Sequence, residues 1–313
     1  MIDIGDIRAA AERIEGKVRY TPLIAATQTL RDIAPEAELI LKLELLQVTG
    51  SFKARGATNK LLATSPDKLR NGVVAASGGN HGLASARAAH MAGVPSMIFL
   101  PENVSPTKVE KLAKWGAETV ITGTVWDETN KAALECVERT GAAYFHPFAD
   151  PLVVAGQGTV GLELIEQVSK VDTVVIAIGG GGLISGAATA IKTLAPHVRV
   201  IGIEAEGAPT LLRSLEAGHV VTLDAVTTAV PTLACRRTDE RIYDLVSQNV
   251  DDIVLVSDEV MKVAAEWLWF ELGIAADLSG AAAVAALLDG RITTTPGERI
   301  CAIVCGAGTE GIG

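Results

Sequence analysis

Residues 173–194 read TVVIAIGGGGLISGAATAIKTL, and this stretch decides the fold. Its apolar, β-branched first part predicts a buried strand over 173–178, and its helical period predicts a helix over 183–194. Between the two lies the tetraglycine loop, Gly179, Gly180, Gly181 and Gly182. One glycine suffices for a tight turn, and each further one costs about 0.5–1 kcal/mol relative to alanine. We therefore expect the N–H groups of this loop and the helix start to bind a phosphate, with a ligand-free turn as the alternative.

The spacing of these glycines indicates which phosphate-containing ligands the loop could bind. In this loop the dinucleotide fingerprint GxGxxG fails, because its last position is not glycine. A looser spacing, Gly180-x-Gly182-x-x-x-Gly186, is present, and Glu204 ends the next predicted strand, where an acid could bind a ribose. A nicotinamide dinucleotide is therefore an alternative. The chain has no GxxxxGK[ST] motif, which excludes the P-loop enzymes.

Strand-to-helix units of this kind recur along most of the chain. The other β-branched runs that predict strands are 38–44, 72–76, 96–100, 119–122, 198–203, 253–256 and 300–305. The other segments of helical period are 80–92, 107–115, 128–140, 210–217, 258–272 and 279–288. Such alternation predicts an α/β fold with open, mostly parallel sheets covered by helices.

The chain divides at two groups of prolines. Several strand–helix units lie between Ser65-Pro66 and the pairs His146-Pro147 and Asp150-Pro151. We predict a small domain, residues 67–149, inserted into a larger domain that residues 1–66 and 150–313 form together. The cleft between two such domains is where a ligand is expected.

Composition excludes several classes of protein. The 313 residues carry a formal charge of −10 at pH 7, and an acidic surface argues against nucleic acid as a partner. With 49% hydrophobic and 20% charged residues, the chain can bury a large core. Residues 1–16 do not resemble a signal peptide, and no apolar run approaches the ~20 residues of a membrane span. We expect a cytoplasmic protein with no membrane partner, whose four cysteines are reduced thiols rather than zinc ligands.

A lysine stands in an unusual setting in TGSFKARGA, residues 49–57. A lysine is ordinarily a solvated surface group, but Lys53 lies among small and apolar residues at a predicted loop-to-helix junction. Desolvation lowers the pKa of an amine, which can then act as a nucleophile and form an imine with an aldehyde. Lys53 is therefore the candidate catalytic residue.

A second glycine-containing loop, SGGNHG at residues 77–82, also follows a predicted strand directly. We call it the Asn80 loop. Its backbone N–H groups and the Ser77 hydroxyl could hold a carboxylate, with Asn80 as helix N-cap and side-chain donor. A helix cap without a ligand is an equal alternative. His81 has no visible partner, and we expect it to be packed or to cap the helix.

Together, in this order, the three segments resemble the fold type II pyridoxal-phosphate enzymes, in particular the threonine and serine dehydratases and serine racemases. The resemblance runs from Leu43-Glu44 to Cys305-Gly306, essentially end to end. It implies two twisted, mostly parallel sheets of the tryptophan synthase β type, pyridoxal 5'-phosphate as cofactor, and a homodimer.

The resemblance also implies roles for single residues. Lys53 would carry the cofactor covalently beside Phe52, and the tetraglycine loop with Leu183 would hold the phosphate. Asn80 would donate to the ring hydroxyl. The substrate carboxylate would be bound by Ser77, Gly78, Gly79, Asn80 and His81.

The resemblance assigns a further residue to the cofactor ring. Cys305 falls where the family has a Ser or Cys beside the pyridine nitrogen. A neutral group there makes the ring a weaker electron sink, which favours β-elimination over transamination.

The implied reaction converts a β-hydroxy amino acid, L-threonine or L-serine, to a 2-oxo acid and ammonia, with Lys53 as general base. Hydroxyaspartate and phenylserine are alternative substrates, and serine racemization is an alternative reaction. Gly78 stands where the racemases of the group carry a serine, which disfavours racemization. A nicotinamide-binding protein, the distant alternative, would leave residues 51–57 and 77–82 unexplained.

Glu204 is a candidate ligand for a cation. Glu204 and the carbonyl of Ala208 match a divalent-metal site of some relatives, but Thr210 replaces the third, acidic ligand. We keep a divalent or monovalent cation at Glu204 beside the alternative of an ordinary strand-end acid.

Overall fold

The computed structural model describes residues 1–102 and 104–312 as an α/β protein with two sheets. The strands are β1 (Leu23–Ala25), β2 (Glu38–Lys42), β3 (Val73–Ala76), β4 (Ser96–Leu100), β5 (Glu118–Ile121), β6 (Ala143–Tyr144), β7 (Thr173–Ala177), β8 (Arg199–Ala205), β9 (Asp252–Val256) and β10 (Arg299–Ile303). One sheet has the order β1-β2-β10-β7-β8-β9 and the other β5-β4-β3-β6. All neighbours pair in parallel except β1 with β2.

Helices cover both sheets. They are α1 (Ile4–Ile14), α2 (Lys53–Ala63), α3 (Pro66–Leu69), α4 (Asn80–Ala92), α5 (Pro106–Lys114), α6 (Trp126–Thr140), α7 (Pro151–Gln167), α8 (Gly182–Leu194), α9 (Thr210–Ala217), α10 (Glu240–Asn249), α11 (Asp258–Leu272) and α12 (Leu278–Leu288). Strand β7 is buried at every position, as expected of a parallel strand with helices on both faces. In the described part of the chain, each helix is too short or too polar to cross a membrane.

The predicted α/β class with two mostly parallel sheets is confirmed. Every predicted strand and helix is present, with ends within two residues of the prediction. The short strands β1 and β6 and the helices α1, α3, α7 and α10 were not predicted. Helix α7 contains Gly156, Gly158 and Gly161, which weaken a helical pattern by about 1 kcal/mol each.

Those glycines have a packing reason. A Cβ on Gly156 would come within 2.6 Å of the Cα of Gly56, and one on Gly161 within 2.6 Å of the Ala187 carbonyl. Helix α7 thus lies directly against α2 on one side and α8 on the other. Through α7, this close packing fixes the position of α2, which begins at Lys53, relative to α8, which follows the tetraglycine loop.

Each sheet has its own core. The larger hydrophobic cluster surrounds the six-stranded sheet, and two smaller clusters surround the four-stranded sheet, whose strands all lie between residues 73 and 144. Helix α2 contributes Ala54, Ala57 and Leu61 to the core beside the four-stranded sheet. We propose domains of 67–149 and of 1–66 with 150–313, with α2 packed between them.

Candidate active site

Lys53 is the first residue of α2, directly after the turn that leads in from residues 48–50. Its Nζ donates to the carbonyl of Pro147 at 2.5 Å and lies 5.1 Å from the centroid of the Phe52 ring. Burial lowers the pKa of Lys53 to about 8. A substantial fraction of the amine is therefore neutral near physiological pH, which is the state that attacks an aldehyde or accepts a proton.

The tetraglycine loop joins the carboxyl end of β7 to α8, the usual ligand-binding edge of a parallel sheet. Among the described residues, the N–H groups from Gly179 to Ile184, Leu183 included, donate to no protein acceptor. A Cβ on Gly180 would clash with the Phe148 ring, and one on Gly179 with the Thr232 carbonyl. Gly181 has φ +91, which favours glycine. The loop is therefore a cradle of free donors at a positive helix end.

The Asn80 loop has the same construction at the carboxyl end of β3. The N–H groups of Gly78, Asn80 and His81 have no acceptor in the described chain, and that of Gly79 donates to Ser77 Oγ at 3.3 Å. The prediction that Asn80 caps the helix was wrong. The N-cap is Gly79, without a side-chain cap, because Asn80 already has helical conformation as the first residue of α4.

The Asn80 side chain instead donates to Asp277 Oδ2 at 3.0 Å. Asp277 is the N-cap of α12 and also accepts from Ser279 Oγ at 2.7 Å and Gly280 N at 2.5 Å. Burial raises the pKa of Asp277. Sequence reasoning missed this residue, although an aspartate just before an apolar helix is a recognisable cap. It joins the start of α4, beside one sheet, to the start of α12, beside the other.

His81 is buried, with Nε2 2.8 Å from the Phe145 carbonyl. Since that contact requires a proton on Nε2, its Nδ1 is an acceptor, and it has no partner among the described residues. Burial and the nearby Lys53 charge lower the pKa of His81 to about 3. The ring is therefore neutral and is not a general acid at physiological pH.

Cys305 lies two residues past β10, and its carbonyl accepts from Phe52 N at 3.2 Å. The backbone thus brings Cys305 next to the residue before Lys53. Its Sγ donates to the Ser279 carbonyl at 3.5 Å, and burial raises the pKa of the thiol. Cys305 is therefore a neutral thiol close to the Lys53 amine.

Three aromatic side chains surround His146, a cluster that the sequence did not reveal. The centroid of the His146 ring lies 6.2 Å from that of Trp126, 6.0 Å from Tyr144 and 4.6 Å from Phe148, each edge-to-face. These residues come from α6, β6 and the segment before α7, so only the tertiary fold brings them together. We call them the aromatic cluster.

A buried ion network lies behind Lys53. Arg55 pairs with Glu44 at 2.7 Å and with Glu163 at 2.6 Å, and Lys42 pairs with Glu163 at 2.8 Å. Arg55, Glu44 and Lys42 are 1% exposed or less. Although burial opposes it, the pairing raises the pKa of Arg55. The network ties the first turn of α2 to β2 and α7.

The carboxylate of Glu204 forms hydrogen bonds within the protein. It accepts from Leu211 N at 2.8 Å and Leu212 N at 3.0 Å, which caps the start of α9, and burial raises its pKa to about 7. Ala208 accepts from Thr210 N at 2.9 Å, and Thr210 Oγ1 donates to the Cys235 carbonyl. Among the described residues, no group of three or more His, Cys, Asp or Glu is placed to hold a metal ion. A cation at Glu204 stays a prediction.

Comparison with known proteins places the whole chain in one group. Residues 14–306 match a family model described as "Pyridoxal-phosphate dependent enzyme". The chain is 37% identical to L-threonine ammonia-lyase of Thermotoga maritima, over 99% of this chain and 76% of the relative. It is 36% identical to phenylserine dehydratase of Ralstonia pickettii, over 98% and 94%. The structure of maize serine racemase superposes with a TM-score of 0.92 at 34% identity, over 97% and 93%.

Proposed function

The chain belongs to the pyridoxal-phosphate-dependent enzymes, and we propose that it converts a β-hydroxy amino acid, L-threonine or L-serine, to a 2-oxo acid and ammonia. The observation that carries this proposal is the position of Lys53. Lys53 is a partly buried lysine with a lowered pKa, and it lies near two loops whose N–H groups have no acceptor among the described residues. Its charge acts on His81 of one loop, and its Nζ donates to Pro147, next to the Phe148 ring that lies against the other loop. One anion is expected from the cofactor and the other is the carboxylate of an amino acid.

The residues present fit pyridoxal phosphate. The tetraglycine loop is a cradle that a side chain would fill, and it offers its N–H groups, with that of Leu183, to a phosphate. Two buried atoms near Lys53, Ser51 Oγ and His81 Nδ1, have no partner among the residues described. We propose that Lys53 binds the aldehyde, with Phe52, Asn80 and Cys305 around the ring.

The reaction requires a base, a binding site for the substrate carboxylate, and neighbours of the cofactor ring that favour elimination. When bound, pyridoxal phosphate supplies the electron sink that stabilises the charge left at Cα after proton removal. The Asn80 loop holds the substrate carboxylate with its N–H groups and Ser77. Lys53 Nζ removes the Cα proton, the Cβ–O bond breaks, and the hydroxyl takes up the proton that Lys53 accepted and leaves as water. The enamine product that is released reacts with one water molecule to give the 2-oxo acid and ammonia. The neutral Cys305 favours this elimination over transamination.

Racemization of serine is the second candidate, because maize serine racemase has the same fold at 34% identity. Gly78 argues against it. This residue has no hydroxyl to move a proton on the opposite face, and a Cβ there would lie 3.3 Å from Val104. A nicotinamide dinucleotide is not proposed, because the chain belongs to the pyridoxal-phosphate family and the Glu204 carboxylate, the candidate ribose ligand, accepts from Leu211 N and Leu212 N.

The proposal predicts 2-oxo acid release from L-threonine or L-serine by the enzyme loaded with cofactor. The assay includes threo-3-hydroxyaspartate and phenylserine as further substrates, and D-serine is measured alongside. We expect lyase turnover to exceed D-serine formation at least about tenfold, since Gly78 provides no acid. If none of the substrates released a 2-oxo acid although the visible absorbance of bound cofactor was present, the dehydratase proposal would be contradicted. β-Replacement would then be the next reaction to test.

We also propose that the protein is a cytoplasmic homodimer. Leu30, Trp269 and Phe270 are large apolar residues that are 86%, 51% and 74% exposed. Leu30 N donates to Glu271 at 2.9 Å, so Leu30 lies near the end of α11, the helix that carries Trp269 and Phe270. Exposed apolar side chains near one another favour association. Sedimentation should give twice the 32.5 kDa of the chain, and Phe270→Glu should shift it toward the monomer. A wild-type monomer would contradict the proposal.

A further inference from the structure

The aromatic cluster spans the distance between the two anion-binding loops. Trp126 Nε1 donates at 2.9 Å to the carbonyl of Ala76, the residue before Ser77 in the Asn80 loop. At the other end, the Phe148 ring lies directly against Gly180 of the tetraglycine loop. Between them, Pro147 accepts from Lys53 Nζ. A substrate whose carboxylate lies in the Asn80 loop and whose Cα faces Lys53 therefore has these rings beside it.

The cluster is unusual for this chain. The sequence contains 4 Trp, 3 Tyr and 5 Phe in 313 residues, and three of these twelve surround a single histidine. All four rings are partly exposed and do not belong to the fully buried core. Partly exposed rings offer faces and edges to a ligand, and aromatic pairs prefer such edge-to-face or offset contacts.

The cluster carries no net charge. His146 Nδ1 accepts from Phe148 N at 3.2 Å and Ala149 N at 2.9 Å, which places the ring proton on Nε2. Burial and the Lys53 charge lower the pKa of His146 to about 4, so the ring is neutral. A nearby cation, Arg241, is already paired with Asp239 at 2.8 Å. The surroundings therefore suit an apolar side chain better than a second carboxylate.

We propose that Trp126 and His146 form a subsite for the substrate side chain that accepts a planar aromatic group on Cβ. This inference rests on the proposed dehydratase function and adds an aryl-substituted β-hydroxy amino acid to its substrates. The methyl group of threonine or the hydrogen of serine leaves the rings in contact with water. An aryl group at the same carbon covers them.

The first test compares phenylserine with L-serine in the wild type and in Trp126→Ala. Loss of the Trp126 ring should lower kcat/KM for phenylserine about tenfold relative to that for serine, which does not reach the ring. Trp115→Ala is the matched control, because Trp115 also lies edge-to-face on a histidine, His90, at 5.6 Å. Its phenylserine-to-serine ratio should equal that of the wild type.

A binding measurement separates the subsite from the chemistry. L-phenylalanine and L-alanine have no hydroxyl on Cβ, so they bind without elimination. Calorimetry on the holoenzyme should show that Trp126→Ala weakens phenylalanine about tenfold and leaves alanine unchanged. Trp126→Leu, which keeps an apolar side chain at the start of α6, serves if the alanine variant fails to fold.

The outcomes distinguish the two proposals. One outcome is that the enzyme turns over serine or threonine, but Trp126→Ala has the same ratio of kcat/KM for phenylserine to kcat/KM for serine as the wild type. This would overturn the subsite and leave the dehydratase proposal intact. Selective weakening of phenylalanine, without elimination from any substrate, would support the subsite and overturn the dehydratase. Equal weakening of phenylalanine and alanine would also overturn the subsite, since it would indicate a general distortion of the cleft.

Discussion

Lys53→Ala is expected to lower the turnover of L-threonine or L-serine by about three orders of magnitude or more. The substitution removes the amine that we propose both to hold the cofactor and to accept the Cα proton, and loss of a nucleophile or a general base alone costs 10²–10⁴-fold. The measurement is steady-state release of the 2-oxo acid, together with the visible absorbance of bound cofactor. Both should fall to background.

Lys60→Ala is the control for this prediction. Lys60 lies two turns further along the same helix, and its ammonium pairs with Asp150 at 2.7 Å. Its loss removes the same number of atoms and the same charge from α2. We expect turnover within about threefold of the wild type, because a partly exposed ion pair contributes little. Measurable steady-state elimination by Lys53→Ala, above that of a cofactor-only control, would reject Lys53 as the catalytic residue.

The three segments that the sequence singled out are local features. The tetraglycine loop, the Asn80 loop and the lysine at 53 each owe their character to residues within about ten positions, so their strand–loop–helix setting could be predicted. The structure brings Lys53 and Phe52 together with Cys305 through one backbone hydrogen bond. The proposed roles of these residues toward cofactor and substrate are still predictions.

The features that the sequence did not reveal depend on distant pairs. Asp277 is 197 residues from its partner Asn80, and Glu163 is 108 residues from Arg55. A single charged residue in an otherwise apolar segment gives no sign of which charge it meets. Helix α7 was missed for a related reason, since its glycines oppose a helix locally and are favourable only because α2 and α8 lie against them.

The Asn80 side chain shows which structural features a local sequence motif can predict and which it cannot. The loop sequence indicated a helix start correctly, but the cap is Gly79 and the amide donates to Asp277. This contact joins helices that lie beside different sheets. An N-cap could be expected from the preference of asparagine for that position. The contact across the cleft requires the relative position of the two sheets, which no local pattern contains.

The buried ion network gives the second large effect, which is on stability. Arg55→Ala should lower the free energy of unfolding by about 3–5 kcal/mol, because it leaves the buried carboxylate of Glu44 without its guanidinium partner. The partly buried Glu163 would keep only Lys42 as its cation. Arg55 donates through Nε and Nη2 to Glu44 and through Nη1 and Nη2 to Glu163. Urea unfolding of the holoenzyme measures the change.

Arg70→Ala is the control for the network, because Arg70 also pairs with an acid, Asp67, at 2.7 Å but on the surface. It should cost less than about 1 kcal/mol. A double variant, Arg55→Met with Glu44→Gln, removes charge on both sides and should recover part of the loss, since the penalty comes from the unpaired carboxylate. If Arg55→Ala cost no more than Arg70→Ala, the pairing would contribute nothing to stability. The first turn of α2, and with it Lys53, would then be held by the close packing of Gly56 against α7 and by backbone hydrogen bonds such as that from Phe52 N to the Cys305 carbonyl.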